Sequence, residues 1–192
     1  YFAAHRWILG GYQWIAFEHR GECMWPRLCS QSGAIDLFLQ KKGAFYQNKA
    51  HWTRQPMAHI VPHWNFAGLE GQKILVTVYT NCDALELFLN GESCGKKTIE
   101  PYGHGEWEIP YAPGKLRVTG FRDGKAVCED VRVTTGRPVR LRLRLDNKFE
   151  ANGRDLALFT CDCLDAQGRS VPDAAPFVRF SVNTPAKIVG TG

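Results

Sequence analysis

No stretch of this 192-residue sequence stays apolar for the ~20 residues that a membrane-spanning helix needs, so a membrane partner of that kind is not expected. A dense patch of one charge is missing as well. The formal net charge is +5, and the one concentrated basic stretch is Arg137, Arg140, Arg142 and Arg144. The last three alternate with Leu141, Leu143 and Leu145, the pattern of a half-buried strand with a solvated face. Nucleic acid, which calls for a basic patch or stripe, is therefore not expected as a partner. The seven cysteines are odd in number and lack the regular spacing of a disulfide-stapled scaffold. Cys82, Cys94, Cys128, Cys161 and Cys163 fall in or beside strand-like segments, where a thiol serves as a small apolar filler. Unpaired cysteines favour a reducing, cytoplasmic compartment, with a secreted or periplasmic one left open. The N-terminus has no signal-peptide layout and begins abruptly inside structure, which leaves an upstream targeting segment open. A nucleophile elbow, a phosphate loop and a nucleotide fingerprint are all missing, and no cofactor is expected.

What is present is an ordinary globular composition, 44% apolar and 22% charged, with six Trp and 12% aromatics overall. Indole faces stack on the C–H faces of sugars, but they also fill cores. Composition does not choose between the two.

The character of the chain changes twice. Residues 1–55 carry a nearly continuous apolar run, Ile8 to Phe17, as expected of a strand covered on both faces in a parallel sheet. A polar turn follows at Glu18 to Glu22, and Lys41 to Trp52 places Phe45, Lys49 and Trp52 on one helical face. That is one β/α unit, expected to be the end of a larger α/β domain. Residues 56–136 show short alternating runs: His59–Val61, Ile74–Tyr79, Leu85–Leu89, Ser93–Thr98, Glu106–Tyr111, Leu116–Phe121 and Ala126–Val133. Asn90-Gly91 and Asp123-Gly124 are strong hairpin signals, because a type I′ turn needs positive φ at both central residues. About seven strands in roughly 80 residues is the rhythm of an immunoglobulin-like β-sandwich. Residues 137–192 open another all-β unit, with strands expected at Val139–Leu145, Leu156–Leu164, Val178–Val182 and Ile188–Val189. Four strands are too few for a closed sandwich, so this unit is expected to be truncated.

The run Gly11-Tyr12-Gln13-Trp14-Ile15-Ala16-Phe17-Glu18-His19-Arg20-Gly21-Glu22 resembles the last barrel strand of family 2 glycoside hydrolases, where the pattern runs roughly Trp-Thr-Gly-Phe-Asp-Tyr-x-Gly-Glu-Pro. Trp25-Pro26, Ser30 to Gly33, Asp36-Leu37, Lys42 and the helix ending at Trp52 keep that family's order. So do Pro62-His63-Trp64-Asn65, Tyr79 to Asp83, Leu87 to Gly91, Tyr111 to Gly114 and Thr135-Gly136. Ala16, Glu18 and His19 depart from the usual Gly, Asp and Tyr, Cys23 stands in place of Pro, and Lys41 stands where Pro is common. The resemblance implies the last β/α unit of a (β/α)8 barrel at 1–55, then an immunoglobulin-like sandwich at 56–136 and the start of a second such domain at 137–192. It implies that the parent is a retaining β-galactosidase-like enzyme acting on terminal β-galactosides. Relatives acting on glucuronides carry Asn-x-Lys just before the glycine matching Gly33. Ser30-Gln31-Ser32 stands there instead.

By the same resemblance Trp14 is the aromatic platform under the sugar, the alternative being a buried barrel Trp. Retaining hydrolysis needs two carboxylates about 5–5.5 Å apart on opposite sides of the anomeric carbon. Glu18 and Glu22 leave the same strand, and the family's two glutamates lie on earlier strands. Neither is assigned to catalysis, and the chain by itself is expected to be inactive. Glu18 and Glu22 instead orient the site through hydrogen bonds with Arg20 or His19, or belong to plain loop structure. Pro62 precludes a helical ligand pair from His59 and His63, and Cys161 and Cys163 lack further donors, so no metal site is expected. A non-catalytic carbohydrate-binding or adhesion module remains the competing reading, and oligomeric state is open.

Overall fold

The computed structural model describes residues 5–27, 29–183 and 186–191. One helix, α1 (Gly43–Trp52), precedes nine strands: β1 (Ala58–Val61), β2 (Lys73–Thr80), β3 (Ala84–Leu89), β4 (Glu92–Thr98), β5 (His104–Pro110), β6 (Lys115–Arg122), β7 (Lys125–Val133), β8 (Arg140–Leu145) and β9 (Phe159–Leu164). Sheet order is β1-β2-β5 in one sheet and β4-β3-β6-β7 in a second, with β8-β9 as a separate pair.

The seven central strands follow the alternation of their sequence. In β5, Trp107 and Ile109 are buried while Glu106 and Glu108 face water. Val76 and Val78 of β2 meet Leu85 and Leu87 of β3 across the two sheets, joined by Ile60, Leu116, Val118, Trp64 and Tyr111 in one apolar cluster. Ile74 and Leu89 pack partly buried against it. Both hairpin turns have the backbone their residues favour: φ is 53° at Asn90 and 92° at Gly91, then 48° at Asp123 and 74° at Gly124.

The flanks depart from expectation. Ile8 to Phe17 is not a strand. Leu9 and Tyr12 are fully exposed; Ile8 N donates to the nearby His5 O, and Ile15, Ala16 and Glu18 bond to the backbone of Ala34 and Ile35. A parallel strand needs a neighbour on each edge and cover on both faces, and among the described residues one short neighbour is all this run has. The helix forms as expected, but Trp52 is 80% exposed and Ala50 is its buried residue. In the C-terminal region β8 and β9 pair antiparallel, yet every residue of β8 is exposed. Leu141, Leu143 and Leu145 stay about half exposed because no second layer covers them among the described residues. Val178–Val182 and Ile188–Val189 are not strands either.

Several joints among the described residues hold the regions together. Asn81 donates to Thr53 O and Gln55 O and accepts from Met57 N, while the Arg122 guanidinium donates to Asn81 O and Arg54 O. This ties the segment after α1 to the sandwich. Tyr46 of α1 stacks on His59 at 3.3 Å, and Arg132 and Asp130 flank the imidazole. Burial, then the nearby Arg132 charge, push His59 down to about 4, against a smaller opposing pull from Asp130. On the far side, the fully enclosed Asp165 accepts from Gly136 N and from the Arg169 side chain and backbone. Burial raises this carboxyl, but those bonds outweigh it and hold it below the usual carboxylate range.

Candidate functional site

The residues singled out by sequence lie between Trp14 and Lys42, on a loop assembly with little regular structure. Its spine is a short backbone match: Ala34 N donates to Ile15 O, Ile35 N to Ala16 O, and Glu18 N to Ile35 O. Lys42 N donates to Ala34 O and brings the helix entry alongside. Gly33 makes this approach feasible. A Cβ there would lie 2.2 Å from Glu18 N and 2.6 Å from the Phe17 carbonyl carbon, so any other residue forces the two segments apart.

Glu18 is the anchor. Its side chain is 10% exposed, and Oε1 accepts from Lys42 Nζ at 2.6 Å. The same ammonium donates to Gln31 O at 2.8 Å, and Cys29 Sγ lies 3.9 Å from the other Glu18 oxygen. One carboxylate thus gathers the end of the apolar run, the Cys29–Gln31 loop and the start of α1. A buried charge is tolerable only when paired and hydrogen-bonded, and Lys42 supplies that here.

Glu22 sits apart from this pair. It is 66% exposed and faces His19 Nε2 at 3.3 Å. His19 in turn meets Trp14 edge-on, with ring centroids 6.0 Å apart and planes at 90°. His19 Nδ1 is buried without a partner. Trp14 is 65% exposed, so its indole face is open. An open depression, to which Glu22 belongs and Trp14 does not, is lined by Arg27, Ser30, Gln31 and Ser32 together with Cys23, Met24 and Cys29.

Of the site-supporting residues expected from sequence, Trp14, His19 and Glu22 come together, and Glu18 comes to the same loop with a different partner. Arg20 is exposed, and among the described residues it pairs with neither Glu18 nor Glu22. A local reading passed over Lys42 as Glu18's partner, since 24 residues separate them. Its one sequence signal was its place in the motif order. Among the described residues, no group of three His, Cys, Asp or Glu side chains could hold a metal ion, and no helix is long and apolar enough to cross a membrane.

Comparison with known proteins matches residues 141–192 to glycoside hydrolase family 2 C-terminal domain 5, and residues 71–128 to a domain of unknown function (DUF4982). The β-galactosidase BoGH2A of Bacteroides ovatus is 35% identical over 189 residues, covering 95% of this chain and 22% of that protein. The chain belongs to glycoside hydrolase family 2. A β-glucuronidase of Formosa agariphila is 33% identical over 184 residues, covering 92% of this chain and 18% of its own length. Among solved structures, a β-glycosidase from Bacteroides vulgatus superposes with a TM-score of 0.81 at 34% identity, over 89% of this chain and 22% of that one. A family 2 enzyme from Bacteroides cellulosilyticus gives 0.78 at 32%, over 88% of this chain and 25% of that one. The chain therefore spans about a fifth of the length of the curated family 2 relatives it matches.

Proposed function

We propose that this chain is part of a retaining exo-glycosidase that hydrolyses terminal β-galactosides. In this reading residues 1–55 end a (β/α)8 barrel, 56–136 form an immunoglobulin-like sandwich and 137–192 begin a second one. The observation that carries it is the kinship with the β-galactosidase BoGH2A over nearly the whole chain, with Trp14 met edge-on by His19 at the end of a segment that Glu18 and Lys42 hold in place. An indole face suits the apolar face of a pyranose. Glu18 is neutralised by Lys42 and Glu22 faces His19, so the nucleophile and the acid/base come from barrel strands other than this one. Among the described residues Arg20 is exposed and pairs with no carboxylate, so it has no supporting role in this reading.

The test uses the polypeptide that joins this chain to its barrel. Trp14→Ala should lower kcat/KM on nitrophenyl β-galactoside at least about tenfold, with little change in melting temperature. A large melting shift with unchanged kinetics overturns the platform role, and faster turnover of the β-glucuronide overturns the choice of sugar. Residues 1–192 alone should show no turnover. Turnover by them, lost on Glu18→Gln or Glu22→Gln, would place the chemistry here instead.

A further inference from the structure

Cys82, just after β2, is 4% exposed, and its sulfur lies 3.5 Å from that of Cys128 in the middle of β7, 46 residues away. The room for two sulfurs in a sheet comes from Gly120, the β6 partner of Cys128. A Cβ on Gly120 would lie 2.7 Å from Cys128 Sγ and 2.9 Å from Cys82 Sγ. Ordinary core cysteines need no such vacancy. The hydrogen bond between the thiols lowers Cys82 and raises Cys128, so one proton leaves the pair more readily than from a lone thiol and the second is held. That is the arrangement of an attacking and a resolving thiol, whereas Cys94 is simply raised by burial.

We propose that Cys82 and Cys128 are a site of reversible oxidation, closed to an intrachain disulfide by a small peroxide. The Cys82 thiolate attacks one peroxide oxygen and the O–O bond breaks. This leaves a sulfenic acid on Cys82 and hydroxide, which takes up a proton to become water. Cys128 sulfur then attacks the sulfenic sulfur, the S–O bond breaks, and the leaving hydroxide takes the Cys128 proton. Two thiols and one hydrogen peroxide become one disulfide and two waters; the sulfurs lose two electrons and the peroxide gains them. The cross-link falls at the joint that holds the segment after α1. Thr80 Oγ1 donates to Met57 O beside Cys82, and Asn81 and Arg122 grip residues 53–57. Oxidation therefore fastens the turn under that joint to β7.

The experiment treats the purified chain with hydrogen peroxide and maps its peptides without reduction. A linked Cys82–Cys128 peptide, lighter by two hydrogens, is expected, with melting raised by roughly 5 °C or more and returned by dithiothreitol. Cys82→Ala and Cys128→Ala should each abolish both effects. The proposal is overturned if the pair stays reduced, if it goes on to separate sulfinic or sulfonic acids, or if either cysteine is found linked to another. Should an alanine variant fail to fold, the peptide map of the unsubstituted chain decides alone.

Discussion

Residues 56–136 and residues 5–42 use equally apolar sequence to opposite effect. Leu85 and Leu87 are completely buried, whereas Leu9 and Tyr12 are completely exposed. In the central region each strand finds a partner within the next few dozen residues, and the two sheets cover each other. In the first region the backbone is held by a handful of bonds to Ala34 and Ile35 and by the half-buried Glu18–Lys42 ion pair. Apolar character makes a core only where the chain also supplies the opposing layer. The β8-β9 pair repeats the lesson, with Leu141, Leu143 and Leu145 each about half exposed.

The sharpest way to break this comparison is by truncation. Leu87→Ala should cost about 2–5 kcal/mol in the sandwich, as a fully buried leucine does. Leu9→Ala and Leu141→Ala should stay within about 0.5 kcal/mol. Denaturant melts of the three variants, with hydrogen exchange slow through Leu85–Leu89 and fast through residues 8–14, would establish the contrast. Equal losses at Leu9 and Leu87 would end it.

Gly33→Ala probes the weaker region at its tightest point. The added methyl would meet the Phe17–Glu18 backbone and Glu18 Cγ, all within 2.7 Å, so about 1–3 kcal/mol of overpacking should fall on the loop assembly alone. Proteolysis within residues 20–33 should accelerate while the melting of the sandwich holds. A shift of the global transition would mean that the two regions unfold as one.

His59 tests the seam between them. Its folded pKa of about 4 lies below the ordinary 6.5, so the unfolded chain binds the proton more readily. Stability from this group is complete above about pH 6.5, falls as pH drops toward 4, and is level below that. With the solvent-facing edge of the ring screened, the loss should be on the order of 1–2 kcal/mol. Comparing His59→Gln with the unsubstituted chain between pH 7 and 4 should remove that slope. An unchanged slope would show that burial and the Arg132 charge do not hold the imidazole neutral.

Local chemistry was sufficient for the sandwich. Alternation in runs such as Glu106 to Tyr111, and the demand of Asn90-Gly91 and Asp123-Gly124 for positive φ, set strands and turns within one or two residues of where they lie. The motif order from Trp14 to Gly136 was likewise enough to point to the family. Both signals are carried by neighbours in sequence, or by the spacing of short blocks. Tertiary structure alone decided the rest. Ile8 to Phe17 reads as a buried strand, but burial is a property of what lies opposite, and no layer among the described residues covers this run. Glu18 reads as a partner for Arg20 or His19, yet Lys42 reaches it from 24 residues away because Gly33 lets two backbones close to contact. Cys82 and Cys128 read as separate fillers until the sheet sets them side by side over Gly120. A side chain's period and turn preference belong to its own segment, whereas its partner is chosen by whichever distant segment the fold brings within hydrogen-bonding distance.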